Sequence, residues 1–250
     1  MIALLLIVLL GLALSIGTLF LFLAVRWVRQ RSAANRFLEP DCTLPFFLAR
    51  PGLRFSFVNH PFRWLAVKGN SPVAVQMALR LHRPTPCSWE EGLVDLGDRR
   101  LFISPPVSGW ILVVGSGLPE PSEDVDHCFH FLTELSRKVG HVQYFSAHRV
   151  LNHHAWALVD QGRIFRAYAW AGETLWNQGP VTAAEKELQM RCFEYATERA
   201  GFGQKDSFVS NSEKVHRLAA RWSVDPTTID EKNFKASHGI AGELSSRSHI

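Results

Sequence analysis

From Ile2 to Val25 the chain carries no charged side chain; Leu, Ile, Val and Phe dominate, and Ser15 and Thr18 are the only hydroxyls. At about 1.5 Å rise per residue, a helix over that run is roughly 36 Å long, enough to cross a hydrocarbon core of about 30 Å with some tilt. A cleaved signal peptide does not fit. The run has no basic residue before it, is too long for such a segment, and is followed at once by Arg26 and Trp27. A buried core helix is seldom apolar all round over this length. Residues 1–25 are therefore expected to be an uncleaved transmembrane signal anchor.

The flank sets the expected orientation. Arg26, Arg29, Arg31 and Arg36 follow the span, with only the terminal amine before it. The excess of arginine places the C-terminal side in the cytoplasm and Trp27 at the interface, so the chain is expected to be single-pass with the bilayer as its first partner. The remaining charge balances: 27 Lys+Arg against 23 Asp+Glu becomes 23 against 23 once those four arginines are removed (27 − 4 = 23). A pI near 9.0 thus reports on the membrane flank, and a domain-wide nucleic-acid footprint is absent.

Residues 26–60 read as a basic juxtamembrane linker broken by Pro40, Pro45 and Pro51. An α+β domain is expected over 61–230, and the polar stretch 231–250 reads as a disordered tail. Within the domain, Phe62–Lys68 alternates as a strand. Ser71-Pro72 starts a helix with a Val73, Met77, Leu81 stripe, and Ser88-Trp89-Glu90-Glu91 is a capping box for a short second one. Leu101–Ser104 and Trp110–Val114 make a hairpin. A strong helix then carries Val125, Cys128, Phe129, Leu132, Leu135 and Val139 on one face and ends at Gly140. A strand over 141–147 follows, then a hairpin of 153–159 and 163–169, and helices over 182–197 and 213–222. Apart from the short second helix, the order to residue 147 is βαββαβ. This predicts one mostly antiparallel sheet with helices on one face, compatible with a ferredoxin-like unit plus an added hairpin and C-terminal helices.

The run HAWALVDQGRIFRAYAWAGE, with LFISPPVSGWILVVG before it and LAARWSVDPTTID after it, resembles a set of uncharacterised bacterial membrane-anchored proteins with no assigned function. The resemblance covers most of residues 62–230. It implies no mechanism and no catalytic residue.

Motifs that would carry chemistry are weak. His127 and His130 are spaced i, i+3, but His153 and His154 alternate across a strand and there is no HExxH, so no metal is expected. Gly115-Ser116-Gly117 lacks the third glycine of a dinucleotide loop, and Glu120, Glu123 and Asp124 would repel phosphate. No CxxC or GxSxG occurs; Cys42, Cys87, Cys128 and Cys192 read as small core hydrophobes, with Cys128 on a core stripe. No cofactor is expected.

The hairpin around Asp160-Gln161-Gly162 is the most informative feature. A three-residue loop would set Trp156 opposite Arg166 and His154 opposite Tyr168, with Trp170 nearby; Ala155, Ala157, Ala167 and Ala169 would line the other face, toward the core. His154, Trp156, Arg166, Tyr168 and Trp170 are then candidate binding residues for a protein partner if their face is exposed, and ordinary core if C-terminal helices cover it. The expected function is a membrane-tethered interaction domain without catalysis. The alternatives are an anchored enzyme drawing acid/base groups from His148, His154, Arg166 and Glu173, or a structural subunit of a membrane complex.

Overall fold

Strand β1 (Phe62–Lys68) ends at Gly69-Asn70, and Ser71 caps helix α1 (Pro72–Leu79) by accepting the Ala74 N–H at 3.3 Å. The computed structural model describes residues 62–94, 99–195, 205–229 and 238–244, all in a unit that begins after Gly52. The predicted membrane helix 1–25 and linker 26–60, with Arg26, Trp27, Arg29, Arg31 and Arg36, lie outside the described residues. Among the described residues no helix is long and apolar enough to cross a membrane.

Helix α1 is shorter than expected and turned the other way. Arg80 adopts a left-handed conformation (φ 52°) and stops it, so Leu81 begins a strand, β2 (Leu81–Cys87). Val75 and Leu79 are buried, whereas Val73 and Met77 of the predicted stripe are exposed. The helix reads PVAVQMAL, apolar nearly all round, so periodicity alone could not choose its inner face. The Ser88–Glu91 capping box forms as predicted and starts α2 (Trp89–Val94): Glu91 Oε2 accepts the Ser88 N–H at 2.8 Å, and Ser88 Oγ accepts the Glu91 N–H at 3.2 Å.

Strands β3 (Arg100–Ile103) and β4 (Trp110–Val114) lead to α3 (Val125–Val139), capped by Asp124 and closed by Gly140. Next come β5 (Val142–His148), β6 (His153–Asp160), β7 (Arg163–Trp170) and β8 (Thr174–Gln178). The helix expected over 182–197 is one short piece, α4 (Ala183–Glu187), followed by irregular chain to residue 195. Helix α5 (Lys205–Trp222) includes residues 205–210, which read as loop from their polarity. Within the expected tail, β9 (Gly239–Leu244) forms an interior strand. Its glycine explains the fit: a Cβ at Gly239 would lie 2.4 Å from the Ile103 carbonyl oxygen and from the Phe102 ring.

The nine strands among the described residues pair antiparallel, in the order β2-β9-β3-β4-β1-β5-β6-β7-β8. Edge strand β2 carries Pro84 and Pro86 and a register shift at Arg83, devices that blunt an open edge. Helices lie on both faces rather than one. Beneath α1 and α3 the sheet presents Leu65, Val67, Val113, Val142, Ala155, Ala157, Ala167 and Ala169. The opposite face, beneath α2, α4 and α5, carries Trp64, Phe102, Phe145, Trp156, Tyr168 and Trp170. Cover on both faces leaves β5 buried from Val142 to Ala147, the polar Gln143 and Ser146 included.

The β6–β7 turn corrects the predicted register. Asp160 pairs with Arg163 and Val159 with Ile164, around a two-residue loop with φ of 47° at Gln161 and 76° at Gly162. These are the positive values of a primed turn, whose twist suits a hairpin. A bulge follows, in which Phe165 is the extra residue, so Arg166 pairs with Leu158, Tyr168 with Trp156, and Trp170 with His154. The bulge restores the phase, so the alanines share one face and the aromatics the other, as the sequence implies. The partners are shifted by two.

Candidate functional site

The five candidate binding residues come together, but inside the protein. His154, Trp156, Arg166, Tyr168 and Trp170 are all buried, with Trp156 and Tyr168 at 0% exposure and Arg166 at 1%. The accessible aromatic face expected from the hairpin is therefore corrected: α4, α5 and the chain through 188–193 lie over it. No cation–π pair joins Trp156 to Arg166. The Arg166 guanidinium carbon instead sits 5.8 Å from the Tyr168 ring centroid, on its own strand.

Burying an arginine without partners is prohibitive, so its surroundings are dictated by its donors. Arg166 Nε donates to Glu185 Oε1 at 2.9 Å and Oε2 at 3.2 Å; Nη1 donates to Asn177 Oδ1 at 2.8 Å and to the carbonyls of Ala167, Gln178 and Gly179; Nη2 donates to Cys192 Sγ at 3.1 Å. Glu185 also accepts Trp156 Nε1 at 2.9 Å and the Thr182 N–H at 2.7 Å. The residue that closes the capping box of α4 is thus also the counterion of the hairpin. Burial pushes the Cys192 thiol up to about 12 despite Arg166, so it stays protonated and unreactive near neutral pH.

His154 belongs to the same layer. Its ring stacks 5.8 Å from Trp156, Nε2 lies 3.3 Å from Asn211 Nδ2, and Nδ1 lies 3.4 Å from Ser212 Oγ. Burial lowers its pKa to about 3, so the imidazole is neutral and structural. Asn211 meanwhile donates to the Arg191 carbonyl at 2.6 Å and accepts the Arg191 N–H at 3.1 Å, which ties α5 to the chain over the hairpin.

The acid/base set His148, His154, Arg166 and Glu173 does not converge. His148 pairs with His153 and faces away from His154, while Glu173 is exposed in the turn after β7. Among the described residues no three His, Cys, Asp or Glu side chains come together to hold a metal. Gly115 and Gly117 have a packing reason: added Cβ atoms would lie 2.1 Å from the Arg100 carbonyl and 2.7 Å from that of Arg99. Burial raises the Cys128 thiol, with Glu120 adding to the effect.

A polar cluster that the sequence reading passed over lies at the edge of the aliphatic face. Loop 115–124 brings Glu120 to the ends of β1 and β5, where Ser146 Oγ donates to Glu120 Oε2 at 2.8 Å and Arg63 Nε lies 3.7 Å from the same oxygen. Arg63 Nη1 donates to the Leu118 carbonyl at 2.8 Å, and the Tyr144 hydroxyl donates to that of Pro119 at 2.8 Å, so the loop is pinned from below. Burial raises the Glu120 pKa, opposed by Arg63 and the Ser146 bond. Only the register Arg63↔Ser146 could have announced this cluster, and pairing between strands so distant in sequence is not written locally.

No protein-family model, no curated protein and no solved structure matches this chain.

Proposed function

We propose that this protein is a membrane-tethered, cytoplasm-facing domain that docks to a protein partner and performs no catalysis. The observation that carries the reading is the closure of the hairpin's polar groups on one another: Arg166, Glu185, Trp156, Cys192 and His154 are spent on internal hydrogen bonds. The tether rests on the uncharged run Ile2–Val25 and the arginines after it. The resemblance to membrane-anchored bacterial proteins points the same way. With the aromatic face covered, docking falls to apolar side chains left in solvent, foremost Val73 and Met77, which are 54% and 69% exposed on the outer side of α1. The strand order β3-β4-β1-β5, with α1 and α3 on one side, supports a ferredoxin-like central unit extended by strands at both edges.

The test uses native membranes carrying the full chain with a photo-crosslinking residue in place of Met77 and a periplasm-only reporter after Ile250. The reading expects retention through carbonate extraction, a silent reporter and one discrete protein adduct. An extractable chain, an active reporter or the absence of any adduct each overturns it. One observation favours the enzymatic alternative: Glu120 combines a raised pKa with neighbouring Ser146 and Arg63. A turnover abolished by Glu120→Gln would select that reading.

A further inference from the structure

The turn between β5 and β6 presents two apolar side chains to solvent at the end of the sheet where the N-terminal chain enters. Val150 is 79% exposed and Leu151 is 39% exposed. The register fixes the place: Phe62, the first residue of β1, pairs with Ala147, and His148 pairs with His153. The turn 149–152 therefore projects just beyond Phe62, where β1 begins.

The turn is also held rigid. The Leu151 N–H donates to His148 Nδ1 at 3.2 Å, the Asn152 N–H donates to the Arg149 carbonyl at 3.3 Å, and Asn152 is left-handed with φ 54°. Ser212 Oγ donates to Asn152 Oδ1 at 3.1 Å, and Arg149 Nη2 contacts Glu213 Oε1 at 2.7 Å, so α5 braces both sides. A braced turn that keeps a valine and a leucine outward loses little conformational entropy on meeting an apolar phase.

We propose that Val150 and Leu151 insert into the interfacial layer of the same membrane that anchors the chain, setting the domain down on its β5–β6 turn. The proposal rests on the membrane-tether reading and deepens it. The occupant is lipid rather than a protein because the turn lies beside Phe62, the first described residue of the domain, and the 61 residues that precede it in the chain carry the uncharged run and its arginines. Tethering holds the turn near the bilayer at an effective concentration of about millimolar, so two partly inserted side chains suffice without a deep anchor.

The test places an environment-sensitive label on the full chain in nanodiscs of mixed neutral and anionic phospholipid. One sample carries Val150→Cys; the control carries Asn70→Cys, exposed at the opposite end of β1. Both are read against a chain without the added cysteine, to subtract labelling of native thiols. Brominated acyl chains should quench the label at 150 and leave that at 70 unchanged, and Leu151→Asp should remove the quenching at 150 without changing the melting temperature. If the chain inserts but neither label is quenched, or both are equally, the turn proposal falls while the tether stands. If label 150 is shielded only at high protein density and never by lipid, the turn is an interface between copies and the proposal falls. If the chain fails to insert, the tether reading fails and takes this proposal with it.

Discussion

The two faces of the sheet are built on different physics. Beneath α1 and α3 the residues are aliphatic or small: Leu65, Val67, Val113 and Val142, with Ala155, Ala157, Ala167 and Ala169 letting α3 approach closely. Apart from the rim cluster around Glu120 and Trp176, whose Nε1 donates to Gln178 Oε1 at 3.1 Å, the sheet residues there bring no polar tips, so volume decides most of the fit. Beneath α5 the residues are large and bring polar tips with them: Trp156 Nε1, the Tyr168 hydroxyl, His154 and the whole Arg166 guanidinium. Every such group needs a partner; the covering segments supply Glu185, Cys192, Asn211 and the Phe193 N–H, and the neighbouring strand β8 supplies Asn177. One face tolerates substitution by size, the other only by pairing.

The sharpest way to break that comparison is to remove one member of a pair. Arg166→Ala leaves the Glu185 carboxylate buried without its cation and should cost about 3–5 kcal/mol, and Glu185→Ala a similar amount. Arg166→Met with Glu185→Gln removes both charges and should recover much of the loss. On the opposite face, Ala157→Val adds two methyl groups against α3 and should cost only about 1 kcal/mol. Urea midpoints on a chain lacking residues 1–31, expected to be soluble and monodisperse, give all four values. Equal costs for Arg166→Ala and Ala157→Val would erase the distinction between the faces.

The same distinction explains what could be read in advance. Helix α3 was legible because Gly140 and the Cys128, Leu132, Leu135 stripe agree, whereas its N-cap, Asp124, emerged only in the structure. The hairpin's faces were legible because alternation is local, but the partners were not, since the bulge at Phe165 changes register by steps that the sequence does not mark. Strand β2 hid behind Pro84 and Pro86, and β9 behind small residues chosen to fit beside Phe102. Glu185 closes a local capping box with Thr182, but its ion pair joins residues 19 apart and depends on how α4 lies over β7. Residues 1–60 stand on sequence alone, and the anchor expected there rests on composition over the length of the uncharged run.

Acid separates the faces next, through His154. Its folded pKa of about 3 lies below the ordinary 6.5, so the unfolded chain takes up the proton first. The group's contribution is fully present above pH 6.5 and is lost as pH falls toward 3. The loss runs at about 1.4 kcal/mol per pH unit, near 2 kcal/mol by about pH 5. His154→Gln should lower stability at pH 7 by weakening the stack on Trp156, yet flatten the acid limb. Thermal midpoints of both chains between pH 5 and 7 measure the slopes, and parallel slopes would mean that His154 is not held neutral by burial.

The smallest effect expected is the opposite slope on the aliphatic side. Burial raises the Glu120 pKa above its ordinary 4.5, so the folded state holds that proton more tightly than the unfolded chain does. The contribution is therefore fully present below pH 4.5 and is lost as pH rises through the raised value. Arg63 at 3.7 Å and the Ser146 hydroxyl at 2.8 Å favour the carboxylate and oppose that rise. Glu120→Gln keeps an oxygen to accept from Ser146 and removes the charge. Its stability relative to the native chain should rise from pH 4 to pH 7, by less than the change at His154. His154→Gln shows the reverse trend, its relative stability improving as pH falls. Two substitutions at opposite faces then give crossing pH profiles from one cause, burial of the neutral form, acting on a base in one place and an acid in the other. A flat Glu120→Gln profile would show that Arg63 and Ser146 fully compensate the carboxylate, leaving the aliphatic face without pH dependence from this residue.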